Sequence, residues 1–167
     1  SGSFEKLDVP PTLVSFAVTT GKTGEVVSPE FKAAGHKVCL LTPAYDENGL
    51  PETASLLETF DTVTELLRSG KAVAAYTPGM GGIAEAVMKM GFGNGFGFAF
   101  DDACSLDELF GYAYGSFVLE MADGTVGKVL GVTTKDGSFS YHGEALSQAE
   151  VLSAYENKLE SVYACNI

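Results

Sequence analysis

Apolar positions recur along the chain at two spacings, and the switches between them outline its elements. Residues 12–19 carry Val14, Phe16 and Val18 at every second position, which predicts a strand. Leu13 and Ala17 make its other side apolar as well. Residues 37–42 (KVCLLT) form a short continuous apolar run, as in a buried strand. Residues 53–69 set Leu56, Phe60, Val63 and Leu67 at helical spacing, with Ser55 and Glu58 spaced as a capping box and Gly70 as a stop. A strand over 72–76 leads through a glycine-rich turn to Ile83, Val87 and Met90 on one helical face, ended by Gly91. Phe96, Phe98 and Phe100 alternate in a strand over 95–100. Ser105 and Glu108 repeat the capping spacing ahead of Leu106, Leu109, Phe110 and Ala113.

Residues 116–121 read as a strand, and Asp123-Gly124 as a hairpin turn through which 125–134 pairs back. A second Asp-Gly, at 136–137, leads to a strand over 138–142. Ser147 and Glu150 cap a last helix whose stripe is Val151, Tyr155, Leu159 and Val162. Loops are expected over 20–35, around Ser28-Pro29, and over 43–51, around Asn48-Gly49. The mixture is α+β: a layered α/β sandwich with helices on a mixed, partly antiparallel sheet. Phe60 and Leu159 are expected in its core.

Composition narrows the setting. The 167 residues are 46% hydrophobic and 19% charged, which excludes disorder. A compact monomer of 17.5 kDa would expose roughly 7,900 Å². The net charge of −12 would repel a phosphate backbone or an anionic membrane, so neither nucleic acid nor membrane is an expected partner. No apolar run is long enough to span a bilayer. Cys39, Cys104 and Cys165 are odd in number and widely spaced. They read as free thiols of a reducing compartment, with the cytoplasm the expected location.

The most suggestive chemistry lies in AVAAYTPGMGG, residues 72–82. From Gly79 to Ala84 it matches G-x-G-x-x-A, and Asp101 follows at the spacing of a dinucleotide site's acidic residue. A Rossmann unit needs further βα crossovers, which the later segments do not supply, so NAD is not expected to bind. A P-loop is excluded because no Lys-Ser or Lys-Thr follows the glycines. Two readings stay open: amides at this helix start facing a phosphate, or a glycine turn that lets helix and strand pack closely. His36 and His142 read as surface or turn histidines, and the Phe96/Phe98/Phe100 face as core. Asp101, Asp102 and Glu108 read as turn and capping carboxylates with no need of magnesium, and Cys39 as inert. No catalytic residue and no metal ligand is assigned.

The ordered stretches VPPTLVSFAV, VVSPEFKAAGHKVCLL, AVAAYTPGMGGIAEAVMKMGFGNGFGF, LDELFGYAYGSFVLEM and AYENKLESVY resemble the second synthetase half of phosphoribosylformylglycinamidine synthase, in its long single-chain bacterial form. The resemblance implies a fold like the C-terminal domain of aminoimidazole ribonucleotide synthetase, partly ferredoxin-like. It implies that residues 1–30 are the tail of a preceding nucleotide-binding subdomain and that 31–167 form the synthetase C-terminal-type subdomain. SGSFEKLDVPP is similar to the segment after the family's Gly-Gly-Lys-Asp-Ser-Met motif, and a glutaminase domain would follow near Ile167. The implied activity is that of an ATP-dependent C–N ligase of purine biosynthesis. It turns formylglycinamide ribonucleotide, glutamine and ATP into the amidine, with ATP and magnesium as cofactors and the remaining domains as partners.

The sequence also departs from that family. Its loop, His-Asp-x-Ser-Asp-Gly-Gly, stands here as Tyr76, Thr77, Pro78, Gly79, Met80, Gly81 and Gly82, which keeps only the glycine pair. Its Leu-Phe-x-Glu-x-x-Gly-Arg stands as residues 109–116, without the Glu or the Arg. The piece is therefore expected to be an inactive scaffold or a degenerate phosphate-binding half, with Thr77, Gly79, Gly81 and Gly82 the remnant of the phosphate turn and no cofactor held tightly. The alternatives are a free-standing, non-catalytic interaction domain or another member of the synthetase superfamily. Residues 12–19, removed from their neighbours, are expected either to dimerise the chain or to fold back on its own domain.

Overall fold

A computed structural model describes residues 2–162, the side chain of Phe4 excepted. Short strands β1 (Gly2–Phe4) and β2 (Leu7–Val9) pair antiparallel about Glu5, whose φ is +52°. They stand apart from the main sheet, and every side chain described from residue 2 to 29 is exposed. The body begins at Phe31, which is fully buried although its segment reads as loop.

The body then runs β3 (Lys37–Leu41), α1 (Thr53–Arg68), β4 (Ala72–Tyr76), α2 (Gly82–Phe92), β5 (Gly97–Phe100), α3 (Leu106–Leu109), β6 (Phe117–Met121), β7 (Lys128–Thr134), β8 (Ser138–Tyr141), β9 (Glu144–Ser147) and α4 (Gln148–Glu156). Its seven strands lie in the order β4-β6-β3-β7-β5-β8-β9, antiparallel throughout except for β5 beside β8. The mixed sheet with its four helices bears out the α+β sandwich. β6 is inserted between β4 and β3, which makes β3–α1–β4 a split βαβ unit of ferredoxin-like kind.

Alternation along the strands builds a core on each face of the sheet. Val38 and Leu40 of β3, with Val118 of β6 and Leu130 of β7, meet Ile83, Val87 and Met90 of α2. The opposite residues, Cys39, Leu119 and Met121, meet Val63, Leu66 and Leu67 of α1. Phe98 stacks on Phe31 at 5.9 Å and meets Phe100 edge-on at 4.8 Å, so the phenylalanine face is core.

Several expectations fail for physical reasons. Residues 12–19 form no strand: they pair with nothing and expose Leu13, Val14, Phe16 and Val18 by 77% or more. An apolar run becomes a strand only beside a ladder, and none of the described strands lies along it. The Asp123-Gly124 hairpin does not exist, because β3 lies between β6 and β7. A tight hairpin instead joins β8 to β9 through His142 and Gly143, with φ +49° and +84° as a two-residue turn requires.

The expected α1 stripe holds at Leu56, Val63 and Leu67 and fails at Phe60. Thr59 is buried, its hydroxyl donating to the Ser55 carbonyl at 2.9 Å, while Phe60 is 41% exposed and rests edge-on against Phe117. The Ser55 hydroxyl caps nothing on α1 and accepts from the Ala44 amide instead. At the C-terminal end the box of Ser147 and Glu150 forms as read, but the helix stops at Glu156. Leu159 is 65% exposed there, and the expected stripe reduces to half-buried Val151 and to Tyr155 against Phe92.

Candidate functional site

The turn from β4 into α2 brings the two stretches that depart from the family together. Gly82 has φ +68°, and a Cβ there would lie 2.7 Å from the Leu109 carbonyl oxygen and 2.9 Å from that of Gly111. Only glycine seats the start of α2 so tightly against residues 109–111. At the far end of the second stretch Ser116 is fully buried, its hydroxyl reaching Thr42 Oγ1 at 3.2 Å.

The amides of the turn face inward. The Gly81 N–H donates to Glu85 Oε2 at 2.8 Å, and the Gly82 N–H donates to the Gly79 carbonyl at 3.1 Å. Lys89 Nζ donates to the other Glu85 oxygen at 2.6 Å. The hydrogen bond from Lys89, then that from the Gly81 amide, hold the Glu85 carboxyl below the usual carboxylate range, and Glu85 in turn raises Lys89. The first turn of α2 thus carries its own carboxylate where a bound anion would otherwise sit. A Cβ on Gly81 would come within 2.6 Å of Glu85 Cβ, so that glycine admits the carboxylate.

Of the four residues assigned to a phosphate turn, Thr77 and Gly79 line one open cleft, and Gly81 lines a second, apolar one. The first has a volume of about 320 Å³ and lies at the C-terminal end of β4, lined also by Ala75, Tyr76, Glu85, Lys89 and Phe117. A phosphate group with magnesium does not fit the turn as it stands. The loop over 76–82 contains no Lys, Arg, Asp, Glu or His, and the nearby cation is neutralised by Glu85. Among the described residues no cluster of three or more His, Cys, Asp or Glu side chains could hold a metal.

The dinucleotide reading meets a topological obstacle. Gly79 follows β4 and Asp101 follows β5, and three strands separate the two. Asp101 accepts the Ala103 amide at 2.9 Å within its own turn, and Glu108 binds Lys128.

One buried group escaped the sequence reading. Glu120, in mid-strand on β6, is fully buried and accepts from the amides of Lys32 at 2.8 Å and Ala33 at 3.1 Å. Its Oε1 also lies 2.7 Å from His36 Nδ1, so His36 has a carboxylate partner. The signal was a carboxylate at an inward position of an apolar strand. His142 sits in its turn, 3.7 Å from Asp102. Cys39 and Cys104 are buried, burial pushing the Cys104 thiol up, and Cys165 lies outside the described residues.

A second cavity, of about 390 Å³ and walled almost wholly by carbon, opens between α2, α3 and β8. Phe110 and Leu106 stand at it 63% and 55% exposed.

The order of strands and helices can be set beside solved structures. Thermotoga maritima PurL with FGAR bound covers 74% of this chain at a TM-score of 0.59 and 10% identity. PurLQS from the same organism covers 77% at a TM-score of 0.62 and 10% identity, and phosphoribosylformylglycinamidine synthase II covers 76% at 0.61 and 10%. The fold is that of a PurL segment. The chain spans only 28%, 28% and 27% of those three chains respectively. No protein-family model and no curated protein sequence matches it. Other PurL structures of this set are complexes with ATP, ADP and AMPPCP. No helix among the described residues is long and apolar enough to cross a membrane.

Proposed function

We propose that the chain is a scaffold half of an ATP-dependent amidotransferase of purine biosynthesis, one that converts formylglycinamide ribonucleotide to the amidine and works beside a glutaminase domain. Residues 1–30 belong on this reading to the preceding nucleotide-binding subdomain, and 31–167 to the synthetase C-terminal-type subdomain. The observation that carries the scaffold assignment is the self-filled turn at Gly81: a family position for phosphate chemistry has lost its charges, and the carboxylate of Glu85 holds its amide. What remains of phosphate recognition is confined to Thr77 and Gly79 at the cleft. The carbon-walled cavity between α2, α3 and β8 supports the same reading, since an exposed apolar surface of this kind fits against another domain.

Two measurements test the proposal. Purified chain should neither hydrolyse ATP nor show magnesium-dependent binding of it by calorimetry. A magnesium-dependent ATPase activity abolished by Gly79→Val would overturn the scaffold assignment. The reading frame should encode Gly-Gly-Lys-Asp-Ser-Met just upstream of Ser1 and a glutaminase with a nucleophilic cysteine beyond Ile167. A start codon and a stop codon in those places would overturn the parent enzyme and favour a free-standing interaction domain.

A further inference from the structure

We propose that His36 is a nucleophile whose Nε2 accepts an acyl group from small, uncharged activated esters, with Glu120 as its positioning residue. The proposal does not rest on the purine reading. The site lies at the other end of β6 from the turn over 76–82: Tyr76 pairs with Val118, whereas Lys37, next to His36, pairs with Met121. Glu120 is fully buried, and both its oxygens accept backbone amides, Oε2 from Lys32 and Oε1 from Ala33. An acceptor held in this way takes His36 Nδ1, at 2.7 Å, as its third donor. The proton of the neutral ring is thereby assigned to Nδ1 and the lone pair to Nε2.

The backbone places the ring as firmly as the carboxylate does. Thr133, buried on β7, accepts the His36 N–H on its hydroxyl at 3.0 Å and donates its own N–H to the His36 carbonyl at 3.0 Å. The Gly35 N–H donates to the Thr133 carbonyl at 2.8 Å, and Gly35 turns the chain there with φ +86°. An imidazole fixed through both its ring and its backbone is aligned before any substrate arrives. His142, the other histidine of the two, has neither support. Its side chain is 51% exposed and lies 3.7 Å from an Asp102 that is itself 77% exposed.

The His36 side chain keeps 27% of its surface exposed, in a cavity of about 330 Å³ that it shares with Gly35, Lys37, Asp123, Gly124 and Thr125. Nδ1 is committed to Glu120 and no described group bonds to Nε2, so Nε2 is the atom that the ring offers there. Lys37 and Asp123 balance each other in the lining, and a chain of net charge −12 repels a phosphoryl donor. A neutral acyl donor suits both facts. In the reaction the Nε2 lone pair adds to the ester carbonyl carbon, and the C–O bond to the leaving group breaks, its electron pair departing with the alkoxide. The acylimidazolium keeps its Nδ1 proton against Glu120, whose carboxylate offsets the new positive charge. Water then attacks the acyl carbon, the C–N pair returns to Nε2, and the acid leaves together with one proton.

The probe is para-nitrophenyl acetate. The chain should release para-nitrophenolate, and chain quenched in acid during turnover should carry a hydroxylamine-labile acetyl group on the peptide that contains His36. His36→Gln should bring the release down to the rate of buffer alone, and His142→Gln should leave it unchanged. Equal losses in the two histidine variants, or acetyl groups on lysines alone, would overturn the proposal. Glu120→Gln should slow the release by about tenfold, the scale expected when the group that orients an imidazole is lost. A folded Glu120→Gln chain that reacts at the wild-type rate would overturn the positioning role. Nitrogen NMR of the two imidazoles checks that role in the wild type, with no substitution: His36 should be protonated at Nδ1 near neutral pH, and a ring protonated at Nε2 would overturn the assignment.

Discussion

Residues 12–19 and β3 are nearly the same kind of sequence and have opposite fates. Each is a short, mostly apolar run: Leu13, Val14, Phe16, Ala17 and Val18 in one, Val38, Cys39, Leu40 and Leu41 in the other. Yet Val38 and Cys39 are fully buried while Val14 and Phe16 are 78% and 89% exposed. What separates them is position in the sheet. β3 is central, with β6 on one side and β7 on the other and a helical layer on each face. The segment over 12–19 lies beside no strand, and its hydrophobicity finds nothing to be buried against. Burial belongs to the arrangement; the sequence supplies only the capacity for it.

Four substitutions would sharpen or break this contrast. The largest effect is expected at Phe98, fully buried between Phe31 and Phe100: its change to alanine should lower stability by about 3–5 kcal/mol in urea titration. A cost below 1 kcal/mol would mean that the body is packed no better than residues 12–19. Gly82→Ala comes next, on the order of 2 kcal/mol or more, since it joins a left-handed backbone to a collision with the Leu109 carbonyl. Retained stability there would show that the contact between α2 and residues 109–111 is loose.

Glu85→Gln should cost only about 0.5 kcal/mol at neutral pH, the scale of an i,i+4 ion pair on a helix. The sign with pH follows from the lowered carboxyl. The stabilisation is complete above the usual carboxylate range and disappears as the pH falls through the depressed value, so wild type and variant should converge in acid. A difference that grew on acidification would refute the capping geometry. The smallest effect is expected at Leu159, 65% exposed: its change to alanine should leave the urea midpoint within about 0.5 kcal/mol of wild type.

Much of the body was legible in the pattern, because its elements bury regular stripes. Ile83, Val87 and Met90 announce α2, and KVCLLT announces β3 to within a residue. What local pattern does not carry is insertion. Asp123-Gly124 is a genuine bend, with Gly124 at φ +73°, but a bend cannot record that β3 comes between the strands it joins. The face of α1 was misjudged at Phe60 alone, because a threonine that returns its hydroxyl to the helix backbone, Thr59, can be buried like a valine.

The candidate site was half legible. The glycines mark a close approach, but the choice between ligand and packing turned on Glu85. An acid four residues after Gly81 and four before Lys89 is a readable sign of a helix start that neutralises itself. The pairing of His36 with Glu120 was out of reach, since 84 residues of chain separate the partners.

Glu120 has one more consequence, for the alignment of the strands. Its partner across the ladder is Val38, and on that face two amides and an imidazole await it. Sliding β6 by a single residue would turn every one of its side chains to the opposite face. The carboxylate would then lie among Cys39, Val63 and the leucines of α1, an apolar setting that answers no charge. Leucines and valines tolerate such a slip far better, since both faces are apolar. A lone acid in the middle of an otherwise symmetric strand therefore works as a key, and it makes the wrong alignment more expensive than any hydrophobic residue could.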